Sequence, residues 1–444
     1  MKLLCLALAI VTLAPNVRAG TWTEKPLLVF NGNGAGGVPT EGLIFDSAGS
    51  LYGATSEGGD LNCLPGTGCG VVFKLTPDSN GGWQESVLHE FKGGTDGSVP
   101  GDYTSLAFDG DGNLYGTTST GGGSKVCDNG ISGCGTVYEL TPTASGPWKE
   151  TILYRFAGGT GGYGPEGGLV IDQQGNLYGT TGMGGGSKHC GELGCGIIFE
   201  LTPGVDGAWT IHPLHAFNGS PNGCGNCDGG YPEGPLVLDA AGNLYGATSG
   251  GGNNNNGTVY ELMPLAGGGW KYEVIYRFSG STTEGANPYG GVIVDGQGNL
   301  YGTALTGGGW TSCNDTPGCG AVFELSPNSG GWTQTLLYSF MGGTDGQNPA
   351  FPLASDAAGN LYGSTEGSEP IDCPPSCGTV FKLSPSGSGS WTETVLVSFD
   401  ETDGFLSQGL ILDSKGDIYG ALAFGGNVPL CDGYGCGLIF ELTQ

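Results

Sequence analysis

Seven times along the chain an Asp is followed six residues later by the Tyr of a Leu/Ile-Tyr-Gly triplet: Asp46/Tyr52, Asp109/Tyr115, Asp172/Tyr178, Asp239/Tyr245, Asp295/Tyr301, Asp356/Tyr362 and Asp413/Tyr419. Self-similarity at this period means one supersecondary unit, copied around or along an axis, that buries its apolar faces against its neighbours. The unit decides the architecture, and any chemistry must lie in what departs from it.

The third copy illustrates the unit. Gly168-Leu169-Val170-Ile171-Asp172 reads as a short buried strand (A), and Asp172-Gln173-Gln174-Gly175-Asn176 as a side-chain-stabilised turn. Strand B is Leu177 to Thr181; a Gly-rich loop with a cysteine pair leads to strand C, Gly196 to Leu201, which Pro203 ends for want of a ladder donor. Strand D runs from a Trp to a Phe eight residues on, in the series Trp22/Phe30, Trp83/Phe91, Trp148/Phe156, Trp209/Phe217, Trp270/Phe278, Trp332/Phe340 and Trp391/Phe399. The even offset places each Trp and Phe on one face of a period-two strand, with Trp148, Ile152, Tyr154 and Phe156 aligned there.

Four antiparallel strands in roughly 60 residues cannot bury both faces alone, so neighbouring sheets must stack as propeller blades do. The chain opens with a lone D strand and stops just after the seventh C strand at Leu442-Thr443-Gln444. The expected fold is therefore all-β: a seven-bladed propeller of four-stranded blades over residues 20–444. Its last blade combines residues 405–444 with the N-terminal strand 22–30. A β-helix is the alternative repeat fold, but it is usually built of shorter coils with terminal caps.

Residues 1–19 combine Lys2, an apolar run from Leu3 to Ala14 and the small-residue ending Val17-Arg18-Ala19, the pattern of a signal peptide cleaved after Ala19. Cys5 leaves with it, so 14 of the 15 cysteines remain. Six pairs recur at matching places: Cys63/Cys69, Cys127/Cys134, Cys190/Cys195, Cys313/Cys319, Cys373/Cys377 and Cys431/Cys436; Cys224/Cys227 occupies a different loop. In an exported chain these read as local disulfides, whereas zinc on Cys224 and Cys227 lacks a second half-site. A formal charge of −29 with 13 basic residues argues against nucleic acid and anionic membrane surfaces. No segment approaches the roughly 20 apolar residues of a membrane span.

The recurrent Asp-x-x-Gly-Asn-Leu-Tyr-Gly-Thr-Thr, Gly-Gly and Gly-Thr-Val-Phe-Glu-Leu segments resemble the Gloeo/Verruco (GloVer) tandem repeats of extracellular bacterial proteins, over essentially all of residues 20–444. The resemblance implies an exported repeat domain, often followed by a C-terminal anchoring segment, and brings no established activity or catalytic residues. With no anchor after Gln444, free secretion is the expectation, extracellular or periplasmic.

Chemistry is sought in loops that escape the repeat. Nucleophile elbow, zinc-protease, phosphate-loop and calcium-loop patterns are missing, since Leu114 stands where Asp109-Gly110-Asp111-Gly112-Asn113 would need its glycine. The D–A and B–C loops share one face of a propeller. Before strand A they bring Thr40, Glu41, Tyr103, Glu166, Glu233, Tyr289 and Gln408 to the ring mouth. Glu41, Glu166 and Glu233 are weak candidate acid/base groups, and Tyr103, Tyr289, Trp310 and Gln408 candidate ligand contacts. Trp310, the one Trp outside the D series, could form a stacking platform with Tyr163, Tyr231, Phe351 and Phe405. The plainer alternative is that these Glu residues only solvate Gly/Pro-flanked loops.

His89 and His215 share a D-strand place with Tyr154, Tyr276 and Tyr338 and read as blade-interface residues; His189 is a loop residue and His212 has no recognisable partner. No cofactor or metal site is expected, although the Gly-Gly-Thr-Asp-Gly copies at 93–97 and 342–346 admit structural calcium. The expected function is a secreted, monomeric binding or scaffold module for a glycan or an extracellular protein. The alternatives are a polysaccharide-directed lyase or hydrolase, and a structural matrix protein.

Overall fold

The computed structural model describes residues 22–444 except 41, 65, 102–105, 128–132, 145–146, 220–227, 282, 310–312, 314–317, 367–376, 388, 401–402, 427–430 and 432–433. The signal-peptide expectation for residues 1–19, the cysteines Cys224, Cys227 and Cys373, and the candidates Glu41, Tyr103 and Trp310 lie outside the described residues.

Seven antiparallel blades of four principal strands form a β-propeller. In blade 3, strands A (Leu169–Ile171), B (Leu177–Thr181), C (Ile197–Pro203) and D (Trp209–Ala216) lie side by side in sequence order, with Leu169 opposite Gly179 and Tyr178 opposite Glu200. Blade 7 takes its A, B and C strands from the C-terminus (Ile411–Leu412, Ile418–Gly425, Leu438–Thr443) and its D strand, Thr23–Val29, from the N-terminus. Thr23 pairs with Thr443 and Val29 with Leu438, so the ring is closed by its two chain ends, which excludes the open β-helix.

Seven apolar clusters each straddle one seam between neighbouring blades. The Asp–Tyr pair sets one side of every seam. Asp172 Oδ1 accepts the N–H groups of Gln174 and Asn176, both at 2.9 Å, while its Oδ2 accepts the Tyr178 hydroxyl at 3.0 Å. The phenol thus fixed receives the Trp of the next blade edge-on: Tyr178 meets Trp270 at 5.5 Å, and Trp83 meets Tyr419 across the closing seam. On the far side of the B strand, the Tyr178 hydroxyl also reaches Glu200 at 3.0 Å; in blade 1 Lys74 stands at that place, 3.3 Å from Asp46.

The alternation expected along strand D is broken. Every C–D pairing carries a register shift, in blade 3 between Ile198/His215 and Phe199/Pro213, leaving Leu214 unpaired as a β-bulge. One extra residue reverses the faces, so Trp209 and Ile211 pack toward blade 2 while Phe217 and Leu214 pack toward blade 4. Likewise Trp148 and Ile152 face blade 1, whereas Tyr154 and Phe156 face blade 3. The even Trp/Phe spacing therefore serves both seams of a blade, not one.

The Gly of each Leu/Ile-Tyr-Gly triplet is required by space rather than by backbone angle. A Cβ on Gly179 would lie 2.7 Å from the tip of Phe199 in strand C, and Gly53 faces Phe73, Gly302 Phe323 and Gly420 Phe440 in the same way.

Loops lock the blades together. The residue before the D–A loop's Pro or Asn-Pro turn donates its N–H to the carbonyl of the preceding blade's second B–C cysteine: Val38 to Cys436 (2.7 Å), Val99 to Cys69 (3.0 Å), Tyr231 to Cys195 (3.0 Å) and Asn348 to Cys319 (2.9 Å). These donors hold φ of 54°, 56°, 58° and 55°, a region that costs a β-branched or bulky residue energy and persists only where its surroundings over-determine it. The disulfides Cys63–Cys69, Cys127–Cys134, Cys190–Cys195, Cys313–Cys319 and Cys431–Cys436 hold that carbonyl in place. Their sulfurs cover a glycine two residues past each D-strand Phe, such as Gly93 and Gly158.

Blades 6 and 4 differ from this pattern. Cys377, the second cysteine of blade 6, is disulfide-bonded and buried in the blade 6/7 seam, where its N–H donates to the Phe399 carbonyl at 3.0 Å. The expected pairing of Cys377 with Cys373 is not seen directly, because Cys373 falls outside the described residues. Blade 4 has no cysteine pair in this loop; Asn256 covers Gly280 with its amide and accepts the Asn287 N–H at 2.8 Å with its carbonyl. The five disulfides described at both ends fit an extracellular or periplasmic protein. No helix among the described residues is long and apolar enough to cross a membrane.

Candidate functional site

The D–A loops converge at one end of the ring, where the backbone approaches itself from blade to blade. A Cβ on Gly234 would meet the main chain of Tyr289 and Gly291, and one on Gly290 that of Phe351. Hydroxyls on strand B bind the next blade's loop: Thr117 Oγ1 donates to the Pro165 carbonyl (3.1 Å), Thr180 to Pro232 (2.8 Å), Thr303 to Phe351 (3.1 Å) and Ser364 Oγ to Gln408 (3.3 Å). This frame holds the side chains at the mouth.

Glu233 and Tyr289, from loops leading into blades 4 and 5, come together there. Glu233 Oε2 accepts the Ser249 hydroxyl at 2.8 Å and a hydrogen bond from Tyr289; burial nevertheless pushes its carboxyl above the ordinary range. Glu166 occupies the corresponding place in blade 3 and fills the space left by Gly182, whose Cβ would sit 2.5 Å from Glu166 Oε2. A further acid, Glu366, stands at the end of strand B in blade 6, where blade 4 has Ser249, and burial pushes it up to about 7. Glu366 lies at the end of strand B, outside the loop positions from which the candidates were drawn; its signal in the sequence is a carboxylate where the other blades carry Ser, Gly, Leu or Ala. Among the described mouth residues, burial raises the proton affinity of Glu233, which stands beside a phenol and a hydroxyl, and of Glu366. Such groups hydrogen-bond polyols and exchange protons near neutral pH.

Three other expectations are corrected. Gln408 is 6% exposed, and its main chain serves as a latch, accepting from Ser364 and donating to the Ala421 carbonyl at 2.9 Å. Phe351 (4% exposed) and Phe405 (9%) are core residues, so neither joins an aromatic platform; Phe405 stacks on Phe424 at 5.0 Å. His212 has a partner in Thr202 Oγ1 at 3.2 Å. His89 and His215 do lie at blade seams, as their D-strand place implied.

Clefts open on the opposite, turn-bearing face. One of about 270 Å³ between blades 5 and 6 is lined by Asp295, Gln297, Tyr301, Asp356 and Trp391, and another of about 440 Å³ between blades 7 and 1 by Asp46, Trp83, Lys415 and Tyr419. Their walls are the recurrent Asp, Tyr and Trp of the seams, which are already engaged in holding neighbouring blades together.

Strand D also carries carboxylates into the seams. Glu24, Glu85 and Glu393, each two residues past its Trp, are pushed up to about 7, chiefly by burial, with Asp403 and Asp400 adding to the effect on Glu24 and Asp345 to that on Glu393. A carboxyl whose folded pKa is raised binds a proton more tightly in the native than in the unfolded state. Its contribution is present below the unfolded pKa and is lost as pH rises toward the folded one. Stability is therefore expected to fall between about pH 4.5 and 7, by on the order of 1 kcal/mol per group. Chemical denaturation across that range should show a shallower slope in Glu85→Gln; an unchanged slope would remove Glu85 from this account.

Comparison with known proteins agrees with this architecture. The profile of the Gloeobacter/Verrucomicrobia repeat matches residues 11–222, 67–313, 126–370 and 268–444, four overlapping stretches that span nearly the whole chain. Similar solved structures include a fungal alcohol oxidase in complex with copper (15% identity, 95% of this chain, 76% of that one, TM-score 0.53). Others are a surface component of the type-IX secretion system of Porphyromonas gingivalis (14%, 90% and 46%, 0.45) and the PQQ-bound aldose sugar dehydrogenase of Streptomyces coelicolor (14%, 96% and 100%, 0.42). At 15% identity the likeness to the alcohol oxidase concerns the fold alone. No curated protein matches the sequence.

Proposed function

We propose that this chain, which belongs to the Gloeobacter/Verrucomicrobia repeat family, is a secreted binding module that takes a glycan at the ring mouth on its D–A loop face. The observation that carries this reading is the Glu233–Ser249–Tyr289 group, assembled from two blades at positions that the repeat leaves free to vary. A rigid frame presenting hydroxyl, phenol and carboxylate groups suits a polyol ligand, which needs several oriented donors and acceptors. With a charge of −29 the protein repels polyanions, so the ligand is a neutral or cationic glycan.

The test is calorimetric titration with a panel of neutral oligosaccharides. Glu233→Gln, which keeps the shape but removes the charge, is expected to weaken binding about tenfold, the loss of one charge-assisted hydrogen bond. Saccharide binding that ignores both Glu233→Gln and Glu166→Gln would sink the assignment to the mouth. The raised carboxyls of Glu233 and Glu366 favour a second reading, general-acid hydrolysis of a bound polysaccharide. Release of reducing ends by the unmodified chain, lost in Glu233→Gln, would select it over simple binding.

A further inference from the structure

The outer seam between blades 1 and 2 holds a group that neither the mouth nor the packing uses. His89 is the penultimate residue of strand D of blade 1 (Trp83–Glu90), Asp96 lies in the D–A loop that follows, and Glu150 lies in strand D of blade 2 (Lys149–Arg155). His89 Nε2 stands 3.6 Å from Asp96 Oδ2 and 3.5 Å from Glu150 Oε1, and the three donor atoms lie within 4.8 Å of one another. The His89 Nε2 and Glu150 Oε1 atoms are buried, yet neither has a hydrogen-bond partner. A buried polar atom left unpaired costs about 1–3 kcal/mol, more for a charged group, and calls for an explanation such as an ion.

Equivalent places in other seams are satisfied differently. At the blade 3/4 seam His215 Nε2 meets Asp228 at 3.0 Å; the third place is Tyr272, which stacks on the imidazole at 3.6 Å and gives its hydroxyl to the Asp228 carbonyl. At the blade 5/6 seam the Tyr338 hydroxyl donates to Asp345 at 2.6 Å. Among the described residues, only the blade 1/2 seam gathers three side chains that can all ligate a metal.

We propose that His89, Asp96 and Glu150 form a zinc site that clamps blade 1 to blade 2, with a fourth position open to water. Zinc bonded at about 2.0–2.2 Å in tetrahedral geometry sets its ligand atoms roughly 3.3–3.6 Å apart, the spacing already found around His89 Nε2. One imidazole and two carboxylates are a zinc-type donor set. Calcium, which the Gly93–Gly97 sequence admits, takes oxygen ligands only and would leave the imidazole idle. Two anionic ligands also match a divalent charge. Hydrogen bonds on both sides fix the loop that carries Asp96. The Lys92 N–H donates to Asp96 Oδ2 at 2.8 Å, and Arg155 Nε of blade 2 donates to the Thr95 carbonyl at 3.1 Å.

The experiment equilibrates tag-free protein with zinc sulfate, dialyses it and measures retained metal by elemental analysis. About one zinc ion per chain is expected, with affinity at least tenfold lower in Asp96→Asn and Glu150→Gln and unchanged in His215→Gln. Zinc K-edge absorption on the unaltered protein needs no variant and should give nitrogen and oxygen neighbours at about 2.0–2.2 Å without a sulfur shell. Zinc retention that is no higher than in Glu150→Gln, or an all-oxygen shell, would overturn the site. The first result would leave a proton shared between Asp96 and Glu150 as the arrangement of this seam.

Discussion

A chain lacking residues 22–30 is expected to lose cooperative unfolding and to aggregate at room temperature. Strand Thr23–Val29 supplies the whole outer edge of blade 7, and its removal bares the hydrogen-bonding edge of Leu438–Thr443. It also removes Phe30, 1% exposed in the closing seam with Leu27 and Leu28, and takes Trp22 from the blade 6/7 seam. Four such side chains at about 1.5–3 kcal/mol each amount to roughly 6–12 kcal/mol, as large as the net stability of a typical domain. An exposed strand edge of that length is in addition a template for intermolecular pairing. A peptide spanning residues 20–31, added to the truncated chain during refolding, should restore a single transition by strand addition. The point variant Phe30→Ala separates closure from mere proximity to the terminus: it should cost about 3–5 kcal/mol, as much as Phe156→Ala inside an unbroken blade. A Phe30→Ala midpoint in urea equal to that of the unaltered protein would contradict a closed ring.

The second large effect is expected from Gly179→Val. A β-branched residue is ordinarily welcome in a strand, and Gly179 has no left-handed φ to protect. The obstacle is Phe199, whose ring tip would lie 2.7 Å from the new Cβ, closer than any real contact. Forcing extra carbons into a packed core costs about 1–3 kcal/mol, and Val adds two methyls where even the first carbon does not fit. The expected loss is therefore about 3 kcal/mol, read as a drop in urea midpoint. Combining it with Phe199→Leu, which withdraws the ring tip, should recover part of the loss, so that the double variant is more stable than the two single costs predict. Additive costs would mean that the glycine serves something other than this contact.

Both predictions concern features visible as repeats, and the repeat is what made the fold legible. A seam must be built again in every blade, so the residues that build it recur: the Asp that caps the A–B turn, the Tyr it holds, the Trp that the Tyr receives and the Gly beneath the aromatic ring. Blade count and ring closure followed from the same register. The bulge at Leu214 and its equivalents was not legible, because a single unpaired residue leaves the Trp/Phe spacing even while it turns the two rings to opposite seams. Gln408, Phe351 and Phe405 misled for a related reason: a position that departs from the repeat can be a private packing solution as easily as a contact for a ligand.

Sequence alone determined the architecture of this protein, because every interaction that defines it is either local to one turn or repeated at a fixed interval. Tertiary structure decided which singular residues meet. Glu233 and Tyr289 stand 56 residues apart and His89 and Glu150 61 apart, on equivalent elements of neighbouring blades, but the repeat does not fix which singular side chains those elements carry. Only the curvature of the closed ring, set by how seven twisted sheets pack, carries those side chains to a common place.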